Sequence, residues 1–266
     1  MYNFNFHRPK NIEEAIDIFA NSEDPKYLAG GMTLIPTMKQ RLASPSDLID
    51  LSNISEISVE VTQQENLFVI GSMAKHSSIA HSAIVKEYMP ALASLANSIG
   101  DPAVRNRGTL GGSVCNADPA ADYPAALLAL NANLKTNKRE ISAKNFFTGM
   151  FETALEEDEI LISISFPIVK KSKYIKLPNP ASRYAIVGIF VAYTNDKTNV
   201  GVTGAGPKAF LHEEMGTILS NNFDSDLIKN ISTTKDILND DIHASAAYRS
   251  SLITSLTMRA VSELKQ

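Results

Sequence analysis

The amino-acid sequence predicts an α+β protein made of two or three compact units. Its length of 266 residues exceeds the usual size of one domain, so more than one unit is expected. Residues 1 to about 55 show the order of short strands and helices that is typical of a small α/β unit with a parallel sheet. The C-terminal part combines strand patterns with one long amphipathic segment, which indicates an α+β unit.

The composition is that of an ordinary globular protein, with 44% apolar and 20% charged residues. Lys and Arg number 25 against 29 Asp and Glu, a net charge of −4, and no basic run is long enough for a nucleic-acid binder. The N-terminus lacks the features of a secretion signal, and no apolar stretch approaches the roughly 20 residues that cross a bilayer. We therefore expect a cytoplasmic protein with no nucleic-acid partner and no transmembrane segment.

The N-terminal segment contains signals for two helices and two strands. Asn11 is placed to cap the first helix, with Glu14 three residues later as in a capping box. A strand is predicted over residues 26–29, followed by a glycine turn, a helix over 34–42 and a second strand over 47–51. The apolar face of the first helix consists of Ile12, Ala15, Ile16 and Phe19.

In the middle of the chain, short apolar runs predict a hairpin with strands over 57–61 and 67–71, joined by the polar residues 63–66. Apolar residues at helical spacing then predict two helices within 76–99. The second helix is expected to end at Gly100, because glycine is a favoured C-terminal stop.

Residues 100–113 form the most polar and glycine-rich stretch, which predicts a loop. Asp118 is placed to cap, and Pro119 to begin, a helix that runs through Tyr123 to Leu130. Residues 159–166 alternate as in a half-buried strand. The side predicted to face the core consists of Ile160, Ile162, Ile164 and Phe166.

Residues 167–180 contain three prolines and a lysine-rich run that begins at Lys170, and they are the best boundary in the second half. Strands are predicted after it over 185–193 and 199–205, and a helix over 245–264. The predicted units are therefore residues 1–55, 56–167 and 168–266.

Several kinds of chemistry lose support from the sequence. Cys115 is the only cysteine, so this chain cannot supply the four thiolates that an iron–sulfur cluster normally requires. The five histidines are scattered and do not form a helical zinc motif. No serine-hydrolase elbow and no Walker-type phosphate loop is present. Gly204-Ala205-Gly206 precedes Pro207 and lacks the third glycine of a dinucleotide fingerprint, so it is interpreted as a turn.

Two glycine pairs, Gly30-Gly31 and Gly111-Gly112, are the best candidates for a binding site. Glycine permits positive φ and lets a ligand approach main-chain N–H groups, as a pyrophosphate requires. Hydroxyl groups of Thr33, Thr109 and Ser113 stand beside the pairs, and Asp122 can accept from a sugar hydroxyl. Either pair alone is more often a tight turn, but together they indicate a phosphate-bearing cofactor held by two segments.

At these residues the sequence resembles the FAD-binding subunits of the molybdenum hydroxylases. This family contains the medium subunits of aerobic carbon monoxide dehydrogenase and the flavin domain of xanthine dehydrogenase. Its first motif, Ala-Gly-Gly followed by two polar residues, corresponds to residues 29–33, and its second, Thr-Ile/Leu-Gly-Gly, corresponds to residues 109–113. The resemblance extends over essentially the whole chain through further matching segments at 101–107, 117–122, 159–161, 201–206 and 241–249.

The resemblance implies a PCMH-type (vanillyl-alcohol-oxidase-like) FAD-binding domain of two α/β subdomains. A C-terminal α+β domain with a small antiparallel sheet and helices follows. Residues 29–33 and 109–113 are expected to wrap the FAD pyrophosphate, and no residue of this chain is expected to be catalytic or to bind a metal. The implied cofactor contacts are Ala29, Gly30, Gly31, Met32, Thr33, Ile99, Asp101, Thr109, Leu110, Gly111, Gly112, Ser113, Asp122, Leu161 and Lys176.

Within this set, Asp122 would hold a hydroxyl of FAD, Ile99 and Asp101 would lie near the flavin, and Leu161 and Lys176 would make further contacts. Met32 stands where the family usually has Thr or His. The backbone cradle needs no particular side chain at that position. Cys115 is interpreted as a small buried residue and not as a redox thiol.

The resemblance also implies a heteromeric complex, expected as a dimer of heterotrimers. A large subunit would carry a molybdenum–pterin centre, a small subunit would carry [2Fe–2S] clusters, and the FAD of this chain would deliver electrons to NAD, a quinone or another acceptor. One alternative is a stand-alone FAD-dependent oxidoreductase acting on a small substrate. The other is a non-enzymatic assembly module with a decayed FAD site, suggested by Met32 and Ser113. The substrate is selected in a partner chain and cannot be read here.

Overall fold

The computed structural model describes residues 1–57, 59–64, 66–169, 171–194 and 197–265. Within these ranges, helices combine with one parallel and several antiparallel sheets, so the predicted α+β class is confirmed. Ser58, Glu65 and Lys170 belonged to predicted segments and lie outside the described residues. No helix in the described part of the chain is long and apolar enough to span a bilayer.

The N-terminal sheet is parallel, as predicted, with the strand order β1-β3-β2. Strand β1 was not predicted because its residues Asn-Phe-His are mostly polar. It is an edge strand whose Asn5 and His7 side chains both contact the Asp47 carboxylate, at 3.1 and 2.7 Å. The elements are β1 (Asn5–His7), α1 (Ile12–Ala20), β2 (Pro25–Leu28), α2 (Leu34–Lys39) and β3 (Asp47–Asp50), followed by a 3-10 turn at Leu51–Asn53.

The predicted N-cap of α1 is confirmed, since the Asn11 side chain accepts from the Glu14 N–H at 2.8 Å. The Glu14 carboxylate, however, accepts from the Lys10 N–H at 2.7 Å instead of from the Asn11 N–H. The reciprocal half of the capping box is thus displaced by one residue. Helix α2 ends at Lys39, three residues before its predicted end.

The middle sheet is antiparallel, in the order β4-β5-β10-β6-β7, and a separate two-stranded ribbon pairs β8 with β9. Its strands are β4 (Val61–Gln64), β5 (Leu67–Gly71), β6 (Asn133–Thr136), β7 (Glu140–Ser142), β8 (Phe147–Gly149), β9 (Glu152–Thr153) and β10 (Leu161–Pro167). The helices of this region are α3 (His76–His81), α4 (Ala83–Tyr88), α5 (Pro90–Asn97), α6 (Pro102–Arg105), α7 (Leu110–Asn116), α8 (Tyr123–Ala129) and α9 (Ala143–Phe146).

The hairpin is present, but its first strand begins at Val61, where the prediction ended. Ile57 does not belong to the strand: it is buried with Ala15 and Ile49 in the core of the N-terminal sheet. Three helices form where two were predicted, because Ser82 caps α4 and Pro90 begins α5. Helix α5 ends at Asn97, not at Gly100.

Two predictions at the start of α7 and α8 were wrong. The segment 100–113, predicted as a loop, contains α6 and the first turn of α7, so Gly111-Gly112 is helical. Asp118 does not cap α8: its Oδ1 accepts from the Ala120 N–H at 2.9 Å and closes a turn before the helix.

A bulge in β10 changes the predicted alternation. The register against β6 shifts between Leu161 and Ser163, so Leu161 is buried on the same side as Ile164 and Phe166. Ile162 is only half-buried, and Ile160 packs into the core of the N-terminal sheet. The bulge therefore allows Leu161 and Ile160 to serve two different cores.

The C-terminal sheet is antiparallel in the order β11-β12-β13-β14, with a long helix against it. Strand β11 lies where the boundary between two units was predicted. Its lysines belong to an edge strand, which within the described chain pairs only with β12. Leu252, Leu256 and Leu264 on the last helix are partly buried, while Ile253, Ala260 and Val261 form its buried face. The elements are β11 (Lys171–Pro178), β12 (Ala185–Thr194), β13 (Lys197–Thr203), β14 (Phe210–Leu211), α10 (Glu213–Asn221) and α11 (Ala246–Lys265), with 3-10 turns at Ser225–Ile228 and Lys235–Ile237.

The hydrophobic core falls into clusters around the respective sheets, but the clusters share elements. Tyr174 and Phe190 of the C-terminal sheet pack into the cluster of the middle sheet. Met73 and Ile160 pack into the N-terminal cluster. The division at residues 55 and 167 stays a prediction. The contacts between the sheets leave a cleft where they meet.

Candidate functional site: a glycine-walled cleft

A cleft of about 570 Å³ opens between the N-terminal sheet, the middle helices and the turn that joins β11 to β12. This volume lies within the range of about 300–1,000 Å³ that is common for small-molecule sites. All the predicted cofactor contacts line it except Asp101, Leu110 and Lys176. The structure therefore brings together most of the predicted cofactor contacts, which come from distant parts of the chain.

The two glycine segments lie in direct contact. A Cβ added to Gly30 would lie 2.7 Å from the Gly108 Cα, and a Cβ on Gly112 would lie 3.4 Å from the Ala29 Cβ. The first separation leaves no room for a side chain, whereas the second is an ordinary van der Waals contact. Gly30 thus permits the close approach of two backbones, and Gly112 lines the same wall of the cleft.

The first segment is a turn between β2 and α2. Gly31 has φ +71°, in the left-handed region that favours glycine, and its carbonyl accepts from the Ile35 N–H at 3.1 Å. Within the described residues, the N–H groups of Gly31, Met32 and Thr33 donate to no acceptor of the protein. All three residues line the cleft, so these donors are available to a ligand there.

The second segment is the first turn of α7, and its N–H groups already have partners. Leu110 N donates to Ala74 O at 2.9 Å and Gly111 N to Ser72 O at 2.8 Å. The Thr109 hydroxyl caps the helix by accepting from Gly112 N at 3.1 Å. The segment is therefore held by the residues that follow β5, and it lines the cleft with Thr109, Gly111, Gly112 and Ser113.

Leu110 and Asp101 do not reach the cleft. Leu110 is fully buried in the core of the middle sheet. Asp101 is exposed, and its Oδ1 caps α6 by accepting from the Val104 N–H at 2.8 Å. Both residues stabilise elements whose neighbouring residues line the cleft. The motif around them predicted a cofactor contact, but neither side chain reaches the cleft.

Asp122 lines the cleft but is only 4% exposed, and its Oδ1 accepts from the Lys176 ammonium at 2.8 Å and from the Tyr174 hydroxyl. Burial raises the pKa of the Asp122 carboxyl, and the ion pair with Lys176 opposes that rise. Lys176 lies behind Asp122 and does not line the cleft. Ile99, two residues beyond α5, and Leu161, at the β10 bulge, contribute apolar side chains to the wall of the cleft.

His76 is a cleft residue that the sequence did not distinguish from an ordinary packed histidine. It begins α3, is 3% exposed, and its Nδ1 lies 3.2 Å from the Tyr123 hydroxyl. The backbone N–H of His76 donates to the Gly108 carbonyl at 3.1 Å. Burial, together with the nearby Arg105 guanidinium, lowers the pKa of His76 to about 4, so the ring is neutral at pH 7.

Other unpredicted lining residues come from two turns. Leu155, Glu156 and Glu157 precede β10, while Ser182, Arg183 and Tyr184 belong to the turn between β11 and β12. Neither turn has a sequence signal that places it at the cleft, because only the packing of the sheets brings it there. Cys115 also lines the cleft, and burial raises its pKa to about 12, so its thiol is protonated at neutral pH.

FAD fits the residues that form this cleft. The first segment offers unpaired N–H groups to an anion, and the glycine wall provides a surface that a Cβ would obstruct. The apolar Ile99 and Leu161 suit an aromatic ring system. Among the described residues, no group of three or more His, Cys, Asp or Glu side chains is arranged to hold a metal ion.

Comparison with known proteins agrees with this geometry. Residues 2–169 match the family model of the FAD binding domain in molybdopterin dehydrogenase. The glyceraldehyde dehydrogenase medium chain of Sulfolobus acidocaldarius is 30% identical, covering 98% of both chains. The carbon monoxide dehydrogenase medium chain of Hydrogenophaga pseudoflava is 34% identical over 79% of this chain and 77% of its own.

A crystal structure of cyanide-inactivated Cu,Mo carbon monoxide dehydrogenase contains a similar chain, with a TM-score of 0.88 and 28% identity. The match covers 100% of this chain and 99% of that one. The likeness confirms the fold class that the sequence resemblance implied. The chain therefore belongs to the family of FAD-binding subunits of molybdopterin-dependent dehydrogenases, and FAD is its cofactor.

Proposed function

We propose that this chain is the electron-transfer subunit of a molybdenum-containing hydroxylase or dehydrogenase complex. A small subunit with [2Fe–2S] clusters would deliver electrons to FAD in the cleft, and an external acceptor would remove them. The observation that carries the proposal is the contact between the two glycine segments, which form one cofactor wall from distant parts of the chain. Two relatives described above are named medium chains, which supports membership of a larger assembly.

The chain's own residues have a binding and orienting role in this proposal. The N–H groups of Gly31, Met32 and Thr33 would hold the pyrophosphate, and the Ser113 hydroxyl would donate to it from the opposite segment. Ile99 and Leu161 would flank the flavin ring system. FAD supplies the capacity to accept electrons singly and to release them singly or as a pair, so the protein needs no acid–base pair of its own.

The cysteine count indicates that the iron–sulfur clusters and the FAD belong to different subunits. With Cys115 alone, the chain cannot hold a four-thiolate cluster, so the clusters belong to another subunit. We further infer a large subunit with the molybdenum cofactor, a dimer of heterotrimers, and a cytoplasmic location. Native mass measurement of the purified complex tests the stoichiometry, and the molybdenum-site sequence of the large subunit identifies the substrate. Reoxidation of the reduced complex by NAD or a quinone identifies the acceptor.

The cofactor assignment is tested with the recombinant chain. Gel-filtered wild-type protein should retain FAD and absorb in the visible range. Gly112→Leu should retain little flavin and lose part of its stability, because a Cβ there would lie 2.8 Å from the Thr109 hydroxyl and 3.4 Å from the Ala29 Cβ of the other segment. Met32→Leu is the matched control and should keep its flavin, since Met32 is 37% exposed and contributes its backbone. A wild-type chain without flavin would contradict the proposal and favour an assembly module.

Turnover distinguishes the proposal from a stand-alone oxidoreductase. The isolated FAD-loaded chain should pass electrons from a chemical reductant to artificial acceptors, but it should not oxidise aldehydes, purines or carbon monoxide. Substrate oxidation should require the partner subunits. Steady turnover of any of these substrates by the isolated chain would favour the stand-alone enzyme.

A further inference from the structure

Glu159 is a cleft residue whose carboxylate is buried and fully hydrogen-bonded. Its side chain is 0% exposed, although the residue lines the cleft together with Leu161. Oε1 accepts from the Thr136 hydroxyl at 2.7 Å and from Arg139 Nε at 3.1 Å, while Oε2 accepts from Arg139 Nη2 at 3.0 Å and from Glu156 N at 2.9 Å. A carboxylate has about four lone-pair positions. The carboxylate is therefore committed to contacts within the protein.

The pairing with Arg139 keeps this buried carboxyl ionised. Burial by itself would raise the pKa of Glu159, but the hydrogen bonds from the Arg139 guanidinium and the Thr136 hydroxyl lower the pKa to about 2. Two parallel bonds between a guanidinium and a carboxylate also fix the relative orientation of the two groups. The Arg139 side chain is 46% exposed, so water screens part of the attraction. The pair therefore contributes more to local geometry than to net stability.

The pair holds the loop that joins β9 to β10 at two points. Arg139 Nη2 also donates to Ala154 O at 2.7 Å, at the start of the loop, and Glu159 accepts from Glu156 N in its middle. Residues 154–157 of this loop, here called the 154–157 wall, include three that line the cleft. The wall is described in full and belongs to no helix or strand. Its backbone groups therefore depend on such side-chain partners.

The turn between β6 and β7 carries Arg139 and makes further contacts with the same loop. Asn137 N donates to Ile160 O at 3.0 Å, and the Asn137 Oδ1 accepts from Ile160 N at 2.8 Å. Lys138 Nζ lies 2.8 Å from a carboxylate oxygen of Glu156. Residues 136–139, which the structure describes in full, do not line the cleft themselves. This turn therefore supports a wall of the cleft without being part of it.

We propose that Arg139 and Glu159 are a positioning pair, which orders the 154–157 wall before FAD binds and thereby sets the affinity of the cleft for the cofactor. The inference rests on the proposed function, in which FAD occupies this cleft. When a wall is already ordered in the free protein, the cost of ordering it does not reduce the binding free energy. The pair acts through Ala154 and Glu156, so its effect is present in the FAD-free protein.

The test compares Glu159→Gln with Glu140→Gln in the full-length chain, with and without FAD. Glutamine keeps the size of the side chain, but its NH₂ group cannot accept from Glu156 N and Arg139 Nη2. In FAD-free Glu159→Gln, amide hydrogen exchange of the 154–157 wall should therefore become faster, while the amides of the buried strand β12 stay protected. Glu140 is exposed on β7, and its variant should exchange as the wild type does.

FAD binding provides the second measurement on the same two variants. The Kd of Glu159→Gln for FAD should rise about tenfold, because the binding-competent arrangement of the wall is populated less in the free protein. Saturation with FAD should return the exchange of the 154–157 wall to the wild-type rate, since the bound cofactor orders it. A loss of global stability would not give this local and reversible pattern. Glu140→Gln should keep the wild-type Kd.

Arg139→Lys is the second variant, because it keeps a positive charge beside Glu159 and should fold. An ammonium group cannot present two parallel donors to the carboxylate and also reach Ala154 O. The variant should show the same local increase in exchange and a similar increase in the Kd for FAD, with an unfolding midpoint within about 5 °C of wild type. Lys135→Met is its control, because Lys135 is an exposed cation on β6 and should change neither measurement.

The outcomes separate this inference from the proposed function. Wild-type amide exchange in FAD-free Glu159→Gln, combined with weaker FAD binding, would mean that the carboxylate contacts the cofactor and would overturn the inference. Equally fast exchange in the 154–157 wall and in β12 would indicate global destabilisation and would also overturn it, as would an unchanged Kd. If the wild-type chain bound no FAD, the proposed function would fail, while the exchange measurements on the FAD-free variants would still report whether the pair orders the wall.

Discussion

The two glycine segments lie side by side in the cleft, yet they are built in opposite ways. The first, residues 29–33, is a turn in which the N–H groups of Gly31, Met32 and Thr33 are unpaired within the described protein and Gly31 requires positive φ. The second, residues 109–113, is a helical turn whose N–H groups are bonded to Ser72, Ala74 and Thr109. The first segment can bind a phosphate through its backbone, while the second serves as a rigid, closely fitting wall.

This difference shows that a glycine motif does not have one physical meaning. Gly31 is needed for its backbone conformation, whereas Gly111 is needed because the chain approaches Ser72 too closely for a Cβ. Substitutions should therefore damage the two segments in different ways. The first should lose ligand binding before stability, and the second should lose both.

The largest effect is expected at Gly111. A valine there would place Cβ 2.5 Å from the Ser72 Cβ and 2.9 Å from the Ser72 carbonyl. Overpacking against backbone usually costs about 1–3 kcal/mol, and the branched side chain adds to that, so Gly111→Val should lose about 3 kcal/mol of unfolding free energy. Denaturant unfolding measures the loss. Ser113→Ala in the same helix should change stability little, and similar values for the two variants would contradict the close-approach account.

Acid should weaken the second segment through His76. Its pKa is about 4 in the folded protein against 6.5 for an ordinary histidine, so the unfolded chain binds the extra proton first. The folded state should lose up to about 3 kcal/mol as pH falls from 6.5 to 4, and the loss should be absent above pH 6.5.

The measurement is unfolding free energy against pH for wild type and His76→Asn, which cannot titrate. Subtracting the His76→Asn curve from the wild-type curve removes the contribution of the carboxylates that titrate in the same pH range. His81→Asn is the control, because His81 is an exposed histidine on the same helix. Parallel wild-type and His76→Asn curves between pH 4 and 6.5 would show that the histidine is not buried as described.

At the first segment, Gly31→Ala should cost about 1–2 kcal/mol, because φ +71° is unfavourable for a residue with a Cβ. Gly31→Asn should cost less, since asparagine tolerates the left-handed region better. The Cβ would meet only flexible atoms, Ile35 Cγ1 at 3.0 Å and Leu28 Cδ1 at 3.2 Å. FAD retention after gel filtration should follow the same order. Equal losses for Ala and Asn would point to crowding instead of backbone conformation.

The smallest effect is expected from the helix cap of the second segment. Thr109→Ala should lose about 1 kcal/mol, the usual value of an N-cap hydroxyl, because Gly112 N loses its acceptor. Thr109→Ser should keep the cap and nearly all of the stability. If Thr109→Ala left the unfolding free energy unchanged but lowered FAD affinity, the hydroxyl would serve the ligand more than the helix.

Much of the fold was predictable from local patterns. The cap at Asn11, the parallel N-terminal sheet and the long C-terminal helix each depend on residues close in sequence. Strands β1 and β11 were not predicted, because both are edge strands rich in polar or charged residues and show no clear apolar alternation. Their backbone pairing with a neighbouring strand holds them in the sheet. The β10 bulge was not predictable either, since only its partner β6 reveals the shift in register.

The candidate site also combines features that the local sequence predicts with features that depend on distant parts of the chain. The sequence by itself determined which glycines matter, because a motif of glycine and hydroxyl residues is a local property that resembles a known family. Only the tertiary structure decided that Gly30 and Gly112 share one wall, and that Asp122 and Lys176 neutralise each other behind it. Hydrogen-bond saturation depends on groups far apart in sequence, so the role of a buried charge can be assigned only when all its partners are in place.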